Sequence, residues 1–474
     1  MATHLGHGDF ESRLSFWRRV RRFAVPPSMI ETATARRRAG DWAGACAAAA
    51  VDVDLDLRSS ARTHGQALAA RLRADLRHLA PDLLRWHLPR IAPDGLLRPG
   101  LTLTLARYDT EGGDGVPPVH LVVRTPPAWA DGGQRISLAL WDGSGRDSGT
   151  ARHPHPRPSR RFRLDLHRHL WDARRTDELR VRSGADLPPP ATPPGLGNAR
   201  VRVPYGRRCA FDRWEAEARI LLRAEATGTA TVAEGTGTAT VVVRVGAGRR
   251  LALEVAAAGP HPSAPRIVAA PAGGASSALP VLPDAATWVL PDLELVRAGA
   301  IEADRLHPLV APALVPGHVP AAPRTPDPVS GPRTVDCRGA RHRIGFVDGA
   351  LSALDHDPAE VRREELLAAL TGTPLPCFQA IDEAHRRPEC LPDIRERLNH
   401  GDTAGALAAV ENLLGPAARL RDGTLRDCLE AAAQRRIAHG MFRAGLGEPA
   451  PGRRSPERHR PRTGRSHPRH ATFD

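Results

Sequence analysis

The tetrad Asp-Glu-Ala-His at residues 382–385 matches an acidic motif with which nucleic-acid helicases hold magnesium and orient a water molecule. In those enzymes the carboxylates follow a buried strand, so an apolar run must precede them. Here Gln379 interrupts that run, and Pro376 suits the first turn of a helix. We therefore predict that the tetrad lies on a helix and is a chance match.

The absence of lysine excludes several classes of enzyme. All 67 residues counted as lysine or arginine are arginine. A P-loop needs a lysine ammonium on the outer phosphates, and protein kinases, pyridoxal enzymes, Schiff-base aldolases and Ser-x-x-Lys acyl enzymes need a lysine as well. Arginine cannot replace it, because its guanidinium stays charged. We reject a helicase or ATPase and favour a protein without enzymatic activity.

Three segments contain histidines that could act as metal ligands. The segment "LDHDPAE" (354–360) places a histidine between carboxylates, but Asp357 before Pro358 fits the N-cap and first position of a helix, which we favour over a metal site. The segments "HPHP" (153–156) and "HRH" (167–169) contain four histidines. Arginines beside them oppose a divalent cation, so we expect no metal there.

The cysteines and glycine motifs indicate no cofactor. The six cysteines have wide, irregular spacings without a Cys-x-x-Cys pair, which argues against a zinc ribbon and a disulfide framework. They are Cys46, Cys209, Cys337, Cys377, Cys390 and Cys428. We expect reduced, mostly buried thiols, no bound metal and no cofactor. A hydrolase would need Ser or Cys, His and an acid from distant positions to converge, because no Gly-x-Ser-x-Gly motif is present.

Positive charge is the one feature that suggests a partner directly. Three Arg-rich stretches, residues 11–22, 151–182 and 453–474, carry essentially all of the formal net charge of +14. Arginines of the first stretch lie near aromatic residues, which suits phosphate contact with stacking. These are Arg18, Arg19, Arg21 and Arg22. Nucleic-acid binding through the basic termini is thus an alternative function, although a GC-rich coding sequence explains the same excess of arginine.

The N-terminal part of the chain has helical periodicity. After a basic segment (1–25), residues 26–96 form a predicted helical module. Four leucines recur there at spacings of three and four, which places them on one helix face. They are Leu68, Leu72, Leu76 and Leu79. Pro81 begins a further short helix.

The central part of the chain alternates apolar and polar residues. Segments "LTLTLARY", "VHLVVRT", "RISLALW", "RRFRLDL" and "ELRVRS" predict a β-rich domain at 97–185. A proline-rich linker (186–197) precedes a mixed α/β unit at 198–315, with the helical segment "FDRWEAEARILLRAEA" and a β-hairpin that turns at Gly246–Gly248. A second proline-rich linker occupies 316–333.

The C-terminal part of the chain is predicted to be mainly helical. Residues 334–446 begin with the hairpin-like "TVDCRGARHRIGFVDG" and continue as helices, and 447–474 form an Arg/Pro/His-rich tail whose composition predicts disorder. The expected class is a multidomain α+β fold, with helical N- and C-terminal modules flanking β-rich central units.

One sequence similarity links the two helical modules. Residues 40–48 match residues 401–409 at seven of nine positions, beginning with Gly-Asp. In such a turn the glycine ends one helix in a left-handed conformation, and the aspartate caps the next with its carboxylate. The pattern resembles the turn of tetratricopeptide-like hairpins, but two copies do not make a solenoid.

Several long runs resemble those of an uncharacterised family of large cytoplasmic proteins from high-GC actinobacteria. Among them are "PPSMIETATARRRAGDWAGACAAAAVDVDLDL" and "IDEAHRRPECLPDIRERLNHGDTAGALAAVENLLG", and the resemblance extends from Val25 to Leu446. It implies a bacterial cytoplasmic protein, and it implies no activity, cofactor or binding residue. The absence of an apolar run near the roughly 18 residues of a membrane span agrees with that location.

Together these patterns favour a non-enzymatic cytoplasmic protein that acts through contacts with other proteins. The motivation is the lack of catalytic motifs together with the repeated hairpin turn. The first alternative is an Arg-mediated nucleic-acid-binding protein, and the second is an unrecognised hydrolase.

Overall fold

The structure is a computed structural model. It describes residues 3–109, 117–143, 153–188, 208–226, 238–246, 249–256, 266–270, 278–319, 333–372 and 374–446. Most of both proline-rich linkers and the whole predicted tail (447–474) lie outside these residues.

The chain divides into two compact units. The larger unit comprises Met1–Trp129, Arg135–Pro320 and Arg443–Asp474, and the smaller unit comprises Ala130–Gln134 and Ala321–Phe442. Helices lie at both ends of the chain and strands in its middle, so the predicted multidomain α+β class is confirmed. The finer domain boundaries given above stay predictions.

The chain up to residue 320 contains the following elements. Its helices are α1 (Thr3–Phe23), α2 (Pro27–Arg38), α3 (Trp42–Ala48), α4 (Leu57–His64), α5 (Gln66–His78), α6 (Pro81–His87), α7 (Leu179–Ser183), α8 (Phe211–Ala226), α9 (Asp284–Thr287), α10 (Pro291–Arg297) and α11 (Ala311–Leu314). Its strands are β1 (Val51–Val53), β2 (Arg90–Ile91), β3 (Leu96–Leu97), β4 (Thr102–Tyr108), β5 (Val119–Arg124), β6 (Ile136–Trp141), β7 (Thr238–Arg244), β8 (Arg250–Ala256) and β9 (Arg266–Ala269).

A four-stranded sheet lies in the main core of the larger unit. Its strand order is β1-β6-β5-β4, with β1 parallel to β6 and the other neighbours antiparallel. The predicted strands "LTLTLARY", "VHLVVRT" and "RISLALW" are confirmed as β4, β5 and β6. The four predicted helix-face leucines are all buried, and they share one apolar cluster with Leu103 and Leu121 of the sheet.

Two other predicted strands of this region are wrong. "RRFRLDL" ends in a 3-10 turn at Leu164–Leu166, and "ELRVRS" lies mostly in helix α7. The alternation of arginine with apolar residues reflects ion pairing and not a two-faced strand. Arg163 pairs with Asp165 at 2.8 Å, and Arg182 lies 3.8 Å from Glu178, one helical turn away.

A second apolar cluster in the larger unit confirms the predicted helix and hairpin of the mixed region. "FDRWEAEARILLRAEA" is helix α8, which buries Trp214 against Val241 and Leu253 of the antiparallel pair β7 and β8. Gly246 follows β7 with φ 88°, a left-handed conformation that favours glycine. Residues 247–248 of this turn lie outside the described part.

The chain from residue 333 onward begins with a three-stranded antiparallel sheet and continues as helices. Its elements are β10 (Arg333–Cys337), β11 (Ala340–Val347), β12 (Ala350–Ala353), α12 (Pro358–Thr371), α13 (Pro376–Arg386), α14 (Leu391–His400), α15 (Thr403–Leu414) and α16 (Thr424–Arg443). The predicted hairpin is confirmed as β10 and β11, whereas β12 was not predicted. Both two-residue turns have positive φ at each position, as type I′ turns require: Arg338-Gly339 and Asp348-Gly349.

The repeated Gly-Asp turn has the predicted geometry in both copies. Gly40 and Gly401 have φ of 81° and 87°. The side chains of Asp41 and Asp402 accept hydrogen bonds from backbone N–H groups three residues further on, at 2.8 Å and 2.9 Å. The predicted caps are therefore confirmed. An arginine five positions earlier binds the aspartate in each copy, at 3.2 Å in the first and 2.6 Å in the second.

Substitution of Asp402 by alanine is expected to lower the free energy of unfolding of the smaller unit by about 1–2 kcal/mol. The change removes the cap of α15 and the ion pair with Arg397 at 2.6 Å, while Arg397 keeps its ion pair with Asp393. Urea unfolding measures the effect. Asp422→Ala is the control, because Asp422 is exposed and should change stability by less than about 0.5 kcal/mol. Equal stability of the two variants would contradict the prediction.

Membrane spans are not found among the described helices. Each one is too short or too polar to cross a lipid bilayer.

Candidate metal centre

The acidic tetrad lies on helix α13, with Pro376 in its first turn, so the prediction of a helical position is confirmed. Asp382 accepts hydrogen bonds from Arg386 at 2.7 Å and from Arg421 at 2.8 Å. Burial alone would raise the pKa of Asp382, but these two guanidinium groups outweigh it and lower the pKa. The carboxylate of Asp382 is therefore part of an ion-pair network on the surface of the smaller unit.

The segment "LDHDPAE" contains the predicted cap. The side chain of Asp357 accepts a hydrogen bond from the backbone N–H of Ala359 at 2.9 Å, and Pro358 opens α12. The capping interpretation is confirmed. His356, the residue before the cap, is only 9% exposed and turns inward from the cap toward other titratable side chains.

Four side chains converge there: Cys337, His342, His356 and Cys377. Each offers one ligand atom, and these atoms all lie within 4.8 Å of one another. Both cysteines are completely buried, and His342 is half-buried. Within the described part of the chain, no other group of three or more His, Cys, Asp or Glu side chains has metal-binding geometry. No metal was expected from the sequence, in which these four positions belong to no common motif.

The register of the first hairpin explains how two of the four meet. Cys337 pairs with Ala340, and Val335 pairs with His342. Paired residues lie on the same face of an antiparallel sheet, and so do residues two positions apart on one strand. Cys337 and His342 are therefore diagonal neighbours on one face of the hairpin.

Helix starts supply the other two side chains. His356 lies between the end of β12 and the start of α12, where the Asp357 cap holds the backbone. Cys377 occupies the first turn of α13, directly after Pro376. All four positions are thus held by local features that are visible in the sequence, namely the Arg338-Gly339 turn, one cap and one helix-opening proline.

Hydrogen bonding orients the two imidazoles. Nδ1 of His342 lies 2.8 Å from Nε2 of His356. The other ring nitrogen of His356, Nδ1, is 3.8 Å from a carboxylate oxygen of Glu360, which also binds Arg338 at 2.9 Å. One nitrogen of each ring therefore faces the other ring, and Glu360 lies behind His356.

The two thiols are close neighbours. Burial raises the pKa of the Cys377 thiol to about 11, and the adjacent Cys337 side chain adds to the increase. In the absence of a cation, Cys377 therefore stays protonated at neutral pH and makes a weak thiol hydrogen bond with Cys337.

The spacing of cysteine and histidine residues in the sequence does not predict this centre, because the four residues come from three separate segments without a Cys-x-x-Cys pair. A usable signal was present, since Cys337 and His342 flank a predicted hairpin turn. No family model, no curated protein and no solved structure matches the chain. The resemblance to the actinobacterial family stays a prediction.

The other histidine groups serve the packing of the larger unit. Nδ1 of His167 lies 3.0 Å from the carbonyl oxygen of Arg163, and its Nε2 lies 3.1 Å from Glu217. His153 Nε2 lies 2.9 Å from the carbonyl oxygen of Thr125. Both rings are buried and bonded to other protein groups, and neither belongs to the one group of described side chains that has metal-binding geometry.

The arginines proposed for nucleic-acid contact lie on helix α1, which packs into the larger unit through buried apolar residues. They are Arg18, Arg19, Arg21 and Arg22. Arg21 is 8% exposed, forms an ion pair with Asp292, and lies 4.0 Å from the centre of the Trp86 ring. Its guanidinium is thus used inside the protein, whereas Arg18 and Arg22 are exposed. The nucleic-acid role of this group stays a prediction.

Two cavities in the larger unit bear on the hydrolase hypothesis. One of about 60 Å³ is lined mainly by apolar side chains, including Trp86 and Trp288, together with His87 and Asp284, and no serine or cysteine lines it. Burial lowers the pKa of His87 to about 4, so this ring is neutral at pH 7. The other cavity contains Ser183 but has a volume of only about 10 Å³, room for about one water molecule. Neither cavity combines a nucleophile with space for a substrate.

Proposed function

We propose that this chain is a non-enzymatic protein that binds another protein through one face of helix α12. One observation carries the proposal: α12 buries none of its described side chains, while Leu366 is 65% exposed and Leu370 is 86% exposed. As part of the same proposal we place the protein in the cytoplasm, a reducing compartment that suits its six free cysteines.

The exposed leucines form a continuous row. Leu366 and Leu370 are one helical turn apart, and Leu367, which is 49% exposed, lies beside them. We call these three side chains the leucine face. Burial of one leucine side chain is worth about 1.5–3 kcal/mol, so a helix that leaves several exposed offers a substantial binding energy to a partner.

Helix α12 is attached to the rest of the smaller unit through charged side chains. Arg338, in the turn between β10 and β11, binds Glu360 at 2.9 Å and also forms an ion pair with Glu364. These contacts lie about a third of a turn away from Leu366 and Leu370. A surface helix normally buries its apolar side and exposes its polar side. The attachment of α12 through charged side chains, with its leucines left exposed, supports a role for the leucine face in binding.

Charges beside the leucine face indicate the chemistry of the partner. Arg362 and Arg363 are both exposed and lie one turn before Leu366 on the same side of the helix. A complementary surface is therefore apolar in its middle and carries carboxylates at one end. An amphipathic helix with leucine-type residues and a flanking acidic segment has these features.

The test uses a photo-crosslinking amino acid at position 366 in the cells that natively produce the protein. We expect a crosslink to a different protein, and mass spectrometry should map it to an amphipathic helical segment flanked by Asp or Glu. The matched control is the same amino acid at Leu407 on α15, which is 46% exposed and should give no such crosslink. With the crosslinker at position 366, the double variants Leu367→Ser/Leu370→Ser and Arg362→Glu/Arg363→Glu should each reduce the yield about tenfold, since two leucines or two positive charges are lost.

Several outcomes would overturn this proposal. These are a crosslink to residues 320–332 or 447–474 of the same chain, a crosslink to a second copy, or equal yields from positions 366 and 407. An unchanged crosslinking yield in the Leu367→Ser/Leu370→Ser variant would have the same meaning. The nucleic-acid alternative predicts instead an affinity for nucleic acid that falls steeply with salt.

A further inference from the structure

We propose that Cys337, His342, His356 and Cys377 bind one Zn²⁺ ion in a tetrahedral structural centre. The centre joins the sheet β10-β11-β12 to the starts of helices α12 and α13. This site is independent of the leucine face, so either proposal can hold without the other.

The ligand set matches zinc chemistry. Two thiolates and two imidazoles in a tetrahedral arrangement are characteristic of Zn²⁺, whereas Mg²⁺ and Ca²⁺ prefer oxygen ligands. Four protein ligands fill all positions of a tetrahedral ion and leave none for a substrate or a reactive water molecule. The geometry therefore points to a structural role and not to catalysis.

The distances allow an ion to enter with small side-chain movements. Bond lengths of about 2.3 Å to sulfur and about 2.0–2.1 Å to nitrogen place neighbouring ligand atoms of a tetrahedron roughly 3.3–3.8 Å apart. The four ligand atoms here are separated by no more than 4.8 Å. The nitrogens of His342 and His356, now 2.8 Å apart, need to separate by about 0.5 Å.

Charge balance also favours the ion. When Zn²⁺ binds, the protons of Cys337 and Cys377 leave to solvent, and the two thiolates neutralise the two positive charges. A neutral centre avoids the large cost of burying net charge. Nearby arginines do not oppose the cation, since Arg338 is paired with two glutamates and Arg343 with Asp355 at 2.8 Å.

Glu360 has the position of an outer carboxylate partner. It faces Nδ1 of His356 at 3.8 Å, on the side of the ring away from His342. A carboxylate behind a ligating histidine fixes the ring and directs its other nitrogen toward the metal. Glu360 is itself held by Arg338, the residue that follows Cys337.

The packing of the smaller unit shows why such a centre would be needed. Its apolar cluster is built from buried residues between Ala384 and Ala432, all on the helical side. Among the described residues of the sheet, Leu351 alone packs against this cluster. Of the apolar side chains of the sheet, only Ile344 and Cys337 are buried, and a structural metal is a common source of stability for such a small element.

Metal analysis of the full-length protein, purified without chelator, tests the proposal. We expect about one zinc per chain by mass spectrometry of the metal content. Replacement of zinc by Co²⁺ should produce the visible absorption of a tetrahedral cobalt site and a thiolate-to-cobalt charge-transfer band. The variants Cys377→Ser and His342→Gln should each reduce bound metal by more than about tenfold.

Matched controls come from the same unit. Cys428→Ser and His385→Gln change a cysteine and a histidine that do not belong to the cluster, and both variants should retain one zinc. If Cys377→Ser fails to fold, His342→Gln, whose side chain is half-buried, and the cobalt spectrum of the unaltered chain still decide the question.

Three results would overturn the zinc assignment. The first is a folded protein that binds no zinc and gives no thiolate-dependent cobalt spectrum. The second is full metal content in both ligand variants. The third is a disulfide between Cys337 and Cys377 in protein prepared under reducing conditions.

Discussion

Removal of zinc is expected to open the sheet of the smaller unit while the larger unit stays folded. A ligand present at 1,000 times its dissociation constant stabilises the folded state by about 4 kcal/mol, and this contribution disappears on chelation. Backbone amides of β10–β12 should then exchange with deuterium up to about 1,000 times faster. Hydrogen exchange followed by mass spectrometry measures this directly.

The same experiment contains its own controls. Strands β7 and β8 of the larger unit belong to a separate apolar cluster and should exchange at the same rate with and without chelator. Added Zn²⁺ should restore protection in β10–β12, and Mg²⁺ should not, because it prefers oxygen ligands. Identical exchange of β10–β12 before and after chelation would show that no metal stabilises this sheet.

Replacement of Glu217 by alanine is expected to destabilise the larger unit by about 3–5 kcal/mol. Glu217 is 3% exposed and accepts two hydrogen bonds from Arg182, each at 2.6 Å, and it lies 3.1 Å from Nε2 of His167. Without the carboxylate, the largely buried guanidinium of Arg182 loses its nearest carboxylate partner. Urea unfolding at pH 7 measures the change.

The stabilisation by Glu217 should depend on pH. Burial alone would raise the pKa of this carboxyl, but hydrogen bonds from His167 and Arg182 outweigh burial and hold the pKa at about 2, below its ordinary value of 4.5. A carboxyl whose pKa is lowered by folding stabilises the protein above its unfolded pKa. The contribution, about 3 kcal/mol, is therefore complete above pH 4.5 and is lost as the pH falls toward 2.

A comparison with Glu217→Gln isolates this effect. The unaltered chain should exceed the variant in stability at pH 7, and the difference should shrink steadily between pH 4.5 and pH 2.5. Glu215→Gln on the same helix is the control, because Glu215 pairs with the partly exposed Arg219 and should change stability by less than about 1 kcal/mol. A difference for Glu217→Gln that stays constant over this pH range would contradict the pKa assignment.

Local features of this protein were predictable from its sequence. Three helix caps and one hairpin depend on residues within a few positions of one another. These are the caps at Asp41, Asp357 and Asp402 and the hairpin of β7 and β8. Backbone conformation at such sites is governed by short-range hydrogen bonds and steric limits, so residue types suffice. The helical position of the acidic tetrad followed from Pro376 and Gln379 in the same way.

Alternating sequence patterns were less reliable where charge produced them. "ELRVRS" alternates like a strand, yet Arg182 reaches Glu217 on another helix, and the segment lies mostly in α7. Whether an arginine faces solvent or an internal carboxylate depends on distant residues. The alternation of residue types with a period of two therefore did not show which side chains of this segment are buried.

The sequence by itself determined that no lysine chemistry is available, that helices lie toward both ends of the chain with strands in its middle, and how the repeated Gly-Asp turn is built. Only the tertiary structure brought Cys337, His342, His356 and Cys377 together, and only it left Leu366 and Leu370 uncovered. Both outcomes depend on which elements pack against each other, and that choice is set by the summed contacts of residues far apart in the chain. Spacing along the sequence carries little information about such contacts.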